Sequence, residues 1–337
     1  MHDGGVRPGA VATVRAMSAR IERHQAWVYL GSILAGLTVG SVLPGQAGAL
    51  EVLVWPVLGL LLYATFTQVA LTRLPAALRD VRFVAVVLVG NFVVIPLVVW
   101  ALLPLAGPDH AVRLGVLLVL LVPCTDWFVT FAHLAGGDTR RAIAVTPLNL
   151  IVQLVLLPVY LWLFLGETFA EIITAGRAAV VFTTLIVGPL AAAWVTRWAT
   201  VRRGRGEGLL GRLGRLPVLL LAVVVFLIAA SQVVVVVEAV GLLPRLLAVY
   251  AAFLAAAAAI GLALSRLARL DAHPARAVVF SLGTRNSFVV LPFALALPPA
   301  FEVAVVVIVF QSLVELFGMV TYLRLVPRLT PAAEQVR

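Results

Sequence analysis

The chain has 337 residues, of which 63% are hydrophobic and 12% are charged, and its formal net charge is +10. A soluble domain has about 25% charged residues, so this composition excludes a soluble globular protein and indicates a polytopic membrane protein. All 25 basic residues are arginine, and they lie in short loops between apolar stretches rather than on the basic face that nucleic-acid binding requires. The single cysteine, Cys124, excludes an internal disulfide and a multi-thiolate metal site within one chain.

Ten apolar stretches are long enough to cross a bilayer, which takes about 20 residues each. They are numbered span 1 to span 10 and are predicted at residues 27–43, 50–71, 83–105, 112–134, 142–165, 178–198, 217–238, 244–265, 276–297 and 301–323. The predicted organisation is a tail over residues 1–26, a first repeat with spans 1–5 over 27–166, a second repeat with spans 6–10 over 167–324, and a tail over 325–337.

Arginine is concentrated in alternate loops and in the two tails, which together hold 21 of the 25. By the positive-inside rule, both termini are predicted to face the cytoplasm, in a plasma membrane or, in a bacterium, the inner membrane. The start of the chain also resembles a secretory signal, because Ala47-Gly48-Ala49 follows an apolar run. That run is long for a signal, so we interpret span 1 as retained.

Polar residues interrupt two of the predicted spans. Pro123-Cys124-Thr125-Asp126 lies inside span 4, and the segment 281–287 lies inside span 9. Proline withdraws a backbone donor and disfavours a helical residue before it. A broken helix survives in a bilayer only where it lines an enclosed cavity, and two such breaks at matching places indicate a transporter's substrate site.

The two halves repeat at an offset of 162 residues. Since each half has five spans, an odd number, the halves must insert in opposite senses, and spans 4 and 9 are predicted to cross at their breaks near mid-membrane. On span 5, Asn149 and Gln153 lie four residues apart and therefore on one face of the helix, and Gln311 and Glu315 do the same on span 10. The matched pairs are Cys124 with Asn286, Thr125 with Ser287, Asn149 with Gln311, and Gln153 with Glu315.

Cys124 has two interpretations. A lone cysteine is commonly a small buried hydrophobe, but a thiolate is also a soft ligand for a thiophilic solute. One bond from sulfur to trivalent arsenic or antimony would be exchangeable, whereas three such bonds would trap the ion. Because the only cysteine falls at a break, we favour Cys124 as the ligand of arsenite.

Asp126 and Arg285 place opposite charges at the two breaks. Each charge costs about 2.5–3.5 kcal/mol at a helix centre, so we predict that the two side chains pair across the crossing, either as a structural ion pair or as a gate. The guanidinium stays charged at any accessible pH and opposes a Na⁺ ion bound beside it. This favours H⁺ as the coupling ion, with Asp126 and Glu315 as the candidate proton-coupling residues, or no ion.

Glu315 is the carboxyl group of span 10. A carboxyl group in a low-dielectric setting can carry a proton across and release it, although it can also serve as a protonated packing residue. The amides of Asn91, Asn149, Gln153 and Gln311 can bind the hydroxyls of a neutral solute or connect helices to one another. The chain shows neither a phosphate-cradling glycine loop nor a nucleophile–base pair, so an enzyme is not indicated.

Several of these motifs resemble the arsenite efflux permeases of the arsenical-resistance type, within the bile acid/sodium symporter superfamily. The resemblance lies in the Pro-Cys-Thr break of span 4, in Asn286-Ser287-Phe288 of span 9, and in Gln-x-x-x-Glu-Leu from Gln311 to Leu316. It implies export of arsenite, and often antimonite, driven by the proton gradient, with Cys124 and Glu315 as the essential residues. It further implies a core domain of spans 3–5 and 8–10 that moves against a panel domain of spans 1, 2, 6 and 7.

The chain also departs from these relatives. Sodium-coupled members carry Glu and Gln near the break of span 9, where this chain has Ser281 and Arg285, which argues against their cation site. One alternative is therefore a symporter or uniporter of a small organic anion, with Arg285 binding the carboxylate. Another is a membrane sensor that binds a solute without moving it. The predicted partners are a small-molecule substrate and the lipid bilayer, with no cofactor and no nucleic acid, and a homodimer is left open.

Overall fold

The computed structural model describes residues 25–69, 79–125, 127–165, 180, 183–202, 213, 214 and 216–331. Within these residues, every regular element is helical. The α-helices are numbered in chain order as α1 Gln25–Val42, α2 Ala47–Phe66, α3 Val81–Val89, α4 Ile95–Leu102, α5 His110–Leu120, α6 Trp127–Leu134, α7 Thr139–Leu165, α8 Gly188–Arg202, α9 Leu216–Ser231, α10 Val233–Ala239, α11 Leu243–Leu267, α12 Ala272–Gly283, α13 Ser287–Leu295 and α14 Val303–Leu329.

Spans 4 and 9 are interrupted where the polar residues predict it. Span 4 is divided into α5 and α6, and span 9 into α12 and α13. Two further irregularities were not predicted. A π-helical segment, Gly90–Val94, joins α3 to α4, and span 7 is interrupted at Gln232, which has φ −118° and ψ 35°.

Five helical segments of the described residues are long and apolar enough to cross a membrane. They are Pro44–Phe66, Val81–Ala106, Thr139–Phe164, Val233–Leu267 and Pro299–Leu329. Each is hydrophobic on most of its surface, as expected for a helix that faces both lipid and protein. The protein is therefore an all-α polytopic membrane protein, while the count of ten spans stays a prediction.

The helices pack in two groups. In the first, α9 packs against α1 and α2, and α8 packs against α2. In the second, α11 packs against α12 and α14, while α5 packs against α14 and α6 packs against α12. The broken helices α5–α6 and α12–α13 thus belong to the second group, together with α14.

Two glycines of α1 allow α9 to approach closely. A methyl group at Gly36 would lie 2.4 Å from the carbonyl oxygen of Phe226, and one at Gly40 would lie 2.2 Å from that of Ala230. Small residues four apart let two helix backbones touch within a membrane, where apolar side chains gain nothing by leaving lipid. The contact between α1 and α9 therefore depends on backbone proximity.

Arg276 connects the C-terminal ends of α6 and α14, two helices of the second group. Its guanidinium donates to the carbonyl oxygens of Ala135 at 3.0 Å and Gly136 at 3.2 Å, just after α6. It also donates to the carbonyl oxygen of Thr330 at 2.8 Å and to its Oγ1 at 3.0 Å, just after α14. Helix C-terminal carbonyls lack intrahelical donors, and an arginine satisfies them well.

Candidate functional site

The two breaks meet and satisfy each other's backbone groups. The backbone N–H of Cys124 donates to the carbonyl of Thr284 at 3.1 Å, and that of Asn286 donates to the carbonyl of Val122 at 2.8 Å. Pro123 and Arg285 thus face each other as a single antiparallel bridge. Pro123 and Arg285 form a non-hydrogen-bonded pair of this antiparallel bridge, because the two hydrogen bonds are made by the residues on either side. Proline has no N–H to donate, and this position does not require one.

The side chain of Asn286 adds a second connection between the breaks. Its Oδ1 accepts from the backbone N–H of Val289 at 3.3 Å and so caps the N-terminus of α13. Its Nδ2 donates to Oγ1 of Thr125 at 3.3 Å, in the opposite break. Asn286 and Thr125 are both buried, so this bond holds the crossing from within the protein.

Arg285 is buried at the crossing with only 3% of its surface exposed. Its Nη1 donates to the carbonyl of Leu120 at 3.3 Å, and its Nη2 donates to the carbonyls of Ser281 at 3.1 Å and Leu282 at 2.7 Å. Nη2 also donates to Oδ1 of Asn91 at 2.7 Å, and the ring centre of Phe253 lies 5.4 Å from the guanidinium carbon. The guanidinium therefore sits among oxygen acceptors contributed by three different helical segments. Nε of Arg285 is buried and has no hydrogen-bond partner within the described part of the chain.

Glu315 connects α14 to the second break. Its Oε2 accepts from the backbone N–H of Arg285 at 2.8 Å and from Nε2 of Gln311 at 2.7 Å. Oε1 of Gln311 in turn accepts from the hydroxyl of Ser287 at 2.9 Å. The predicted polar face of span 10 is therefore directed at the break of span 9. Two donors converge on one carboxyl oxygen, an arrangement that suits a carboxylate.

Asn149 and Gln153 on α7 behave differently. Asn149 is fully buried and Gln153 is 2% exposed, yet none of their four side-chain amide atoms has a hydrogen-bond partner among the described residues. An unpartnered buried amide costs about 1–3 kcal/mol, so such groups need an explanation. Hydrogen bonds between the described helices do not satisfy these amides.

The remaining predicted site residues fall into two classes. Cys124 and Thr125 lie in the first break and are 2% and 3% exposed. Asp126 lies outside the described residues, so its pairing with Arg285 stays a prediction. The partners that the structure gives Arg285 were not predicted. Among them, Asn91 could have been predicted from the sequence, because it is a lone amide inside span 3 and a buried guanidinium needs hydrogen-bond acceptors.

Several contacts recur at the 162-residue offset. The two backbone bonds of the crossing exchange roles under it, because Val122 corresponds to Thr284 and Cys124 to Asn286. A second pair joins helices away from the crossing. The hydroxyl of Tyr160 donates to the carbonyl of Phe92, and the hydroxyl of Tyr322 donates to that of Leu254. The same offset that relates the sequence motifs thus relates these hydrogen bonds.

A buried polar crossing between interrupted apolar helices is the arrangement that secondary transporters use for their substrate sites. Residues 55–239, more than half of the chain, match the model of the Sodium Bile acid symporter family. The chain therefore belongs to that family and is a membrane transporter rather than an enzyme. The match includes Cys124 and Asn149 and ends before Arg285 and Glu315. No curated protein matches the chain.

Substitution by methionine should have opposite effects on the melting temperature at Gln153 and at Gln311. Gln153→Met removes a buried amide that has no hydrogen-bond partner among the described residues, so we expect it to raise the melting temperature of the purified protein. Gln311→Met breaks bonds to Ser287 and Glu315, so we expect it to lower the melting temperature, with a cost of about 1–3 kcal/mol. Equal destabilisation by the two substitutions would show that Gln153 is bonded as firmly as Gln311.

Proposed function

We propose that this protein exports arsenite, and also antimonite, from the cytoplasm in exchange for protons. The observation that carries the proposal is the position of Cys124, the only cysteine, in the break whose backbone joins the second break at Thr284. A thiolate is the protein ligand that trivalent arsenic prefers, because both are soft. A buried thiol beside interrupted helix ends can therefore select arsenite over hard oxyanions.

The binding step is a reversible ligand exchange. The sulfur of Cys124 bonds to the arsenic of neutral arsenous acid, and one As–OH bond breaks. The hydroxide leaves with the thiol proton as water, so the oxidation state of arsenic does not change. Hydrolysis on the other side of the membrane reverses the exchange and releases the solute. A single sulfur bond keeps both directions accessible, as a carrier requires.

The two hydroxyls that remain on arsenic need hydrogen-bond partners. In our proposal, Asn149 supplies them, together with Gln153 one turn further on. On the repeat, these residues stand where Gln311 and Glu315 stand opposite the second break, and those two are bonded to Ser287 and Arg285. Asn149 and Gln153 have no donor among the described residues. For Gln153, the counterpart of Glu315, one cause is that Pro123 lacks the N–H that Arg285 offers to Glu315. Thr125, Asn286, Ser287 and Gln311 form the rest of the proposed site.

Glu315 is the proposed carrier of the proton, with Asp126 as a second coupling residue. In its present arrangement, its carboxyl accepts the backbone N–H of Arg285 and so ties α14 to the crossing. A proton taken up from the outside weakens both hydrogen bonds to Oε2, because a neutral carboxyl is a poorer acceptor than a carboxylate. The freed crossing can then change its position. The positive charge of Arg285 at the same place disfavours Na⁺ as the coupling ion.

The proposal includes an architecture and an orientation. Ten spans form two inverted repeats, which the contacts at the 162-residue offset support. The second packing group of helices forms a core that moves against the panel formed by the first, with both termini in the cytoplasm of a plasma or bacterial inner membrane. A cavity of about 320 Å³ between the groups, lined by Glu51, Gln232 and Glu302, offers a route to the outside. Its two carboxyl groups suit the passage of a neutral solute.

The same observations weaken the organic-anion alternative. Both Nη atoms of Arg285 already donate to oxygens of the protein, and Nη2 has three such acceptors, whereas Nε has no partner among the described residues. A bidentate clamp on a carboxylate needs two parallel donors. Binding an anion at Arg285 would therefore require breaking bonds at the crossing.

Arsenite uptake into everted membrane vesicles tests the substrate and the role of the thiol. Vesicles that contain the native protein should accumulate arsenite when their interior is acidic. Cys124→Ala and Cys124→Ser should reduce uptake to that of vesicles without the protein, since neither side chain offers a soft ligand. Unchanged uptake by the alanine variant would remove the thiol from the mechanism, and inhibition by organic acids with indifference to arsenite would favour the alternative.

Glu315→Gln tests the coupling separately. The amide cannot carry a proton, so arsenite uptake by this variant should no longer respond to the pH gradient, while arsenite should still protect Cys124 from alkylation by a maleimide. Glu238→Gln is the matched control, because it makes the same change on an exposed carboxyl of α10 that lines neither the crossing nor the cavity. Uptake by Glu315→Gln that follows the pH gradient as in the native protein would contradict the proposed carrier.

A further inference from the structure

Two helices end at the crossing with their negative poles. α5 ends at Leu120 and α12 ends at Gly283, each just before its break. The last four carbonyls of a helix have no intrahelical donor, and they carry together roughly −0.5 elementary charge. In a protein interior without water, these ends require a cation or a set of donors.

The guanidinium of Arg285 meets this requirement at both ends. It donates to the carbonyl of Leu120 at the end of α5 and to the carbonyls of Ser281 and Leu282 at the end of α12. The fourth acceptor is Oδ1 of Asn91, whose Nδ2 is fixed by donating to the hydroxyl of Ser281 at 3.0 Å. That bond orients the amide so that its oxygen, rather than its nitrogen, faces the guanidinium.

The acceptors have a common chemistry. Three are main-chain carbonyl oxygens and the fourth is an amide oxygen, so all are uncharged oxygens. Uncharged oxygens are ligands of hard metal cations, and rings of carbonyls bind alkali ions in channels. The C-terminal ends of interrupted helices bind coupling cations in transporters. The four oxygens around Arg285 are thus a set that would suit Na⁺ or K⁺.

We propose that Arg285 is a tethered cation that permanently fills an internal site for a monovalent metal ion. The guanidinium neutralises the two helix ends, and its attachment to the chain prevents its release. The crossing therefore needs no Na⁺ or K⁺ in the native protein. Removing the guanidinium should leave a site that takes one of these ions from solution. This proposal concerns the cation at the crossing and holds whether or not arsenite is the substrate.

Thermal melting of the purified protein in NaCl, KCl or choline chloride at equal ionic strength tests the proposal. The native protein should melt at the same temperature in all three salts. Arg285→Ala should melt lower in choline chloride, and NaCl or KCl should raise its melting temperature by several degrees, because a ligand that binds only the folded state stabilises it. Adding Asn91→Ala should reduce that shift, since one of the four oxygens is lost.

Arg276→Ala is the matched control. Arg276 also donates to carbonyls at two helix ends, but it lies away from the crossing, and its bonds to Ala135 and Thr330 are only partly buried while its bond to Gly136 is exposed. Its loss should lower the melting temperature equally in all three salts. A salt pattern like that of Arg285→Ala would show that the effect is not specific to the crossing.

Three results would overturn the proposal. One is a folded Arg285→Ala protein that melts at the same temperature in all three salts. Another is a native protein that itself requires Na⁺ or K⁺. If Arg285→Ala does not fold in any salt, Arg285→Lys decides, because its ammonium group keeps a tethered cation at the same place. The lysine variant should fold and melt at the same temperature in all three salts. A requirement of this variant for Na⁺ or K⁺ would be the third contrary result.

Discussion

Two backbone hydrogen bonds, from Cys124 to Thr284 and from Asn286 to Val122, make the rest of the structure possible. An apolar environment offers no water to backbone groups that leave a helix, and each unsatisfied group costs several kcal/mol. Either break alone would therefore be expelled or would refold as a continuous helix. Paired, each break supplies the donor and the acceptor that the other lacks, and polar side chains can gather around them.

The two halves use the crossing differently, and one residue explains much of the difference. In the second half, Arg285 offers its backbone N–H to Glu315, and its guanidinium closes the helix ends. In the first half, the corresponding residue is Pro123, which offers neither. The amides of Asn149 and Gln153 on α7 have no hydrogen-bond partner within the part of the chain that the structure describes. Corresponding positions of the two halves thus differ, because Gln311 and Glu315 are bonded to described residues whereas Asn149 and Gln153 are not.

The sequence predicts the fold well where the signal is local. Apolar length predicts the helices, and Pro123 together with the polar segment 281–287 predicts the interruptions, because breaks have a chemical cause within a few residues. The 162-residue offset predicts which positions correspond. Local signals do not predict the π-helical segment at Gly90–Val94 or the interruption at Gln232.

The side-chain partners within the site were less accessible to prediction. The sequence indicates that a buried arginine requires acceptors, but it does not say which ones. The acceptors lie on segments far apart in the chain, and Asn91 is 194 residues from Arg285. Helix packing determines which acceptors reach the guanidinium. Three of them are backbone carbonyls, which every residue carries, so no residue type in the sequence identifies them. The 162-residue offset likewise predicts equivalent roles for Asn149 and Gln311. In the structure, however, only Gln311 of these two has hydrogen-bond partners among the described residues.

We propose that Cys124 at the crossing binds arsenite through a single sulfur. X-ray absorption at the arsenic K-edge, on the purified protein loaded with arsenite, measures this directly. The account predicts one sulfur and otherwise oxygen in the first shell of arsenic, and loss of the sulfur in Cys124→Ala. A shell of oxygen alone in the native protein would contradict it.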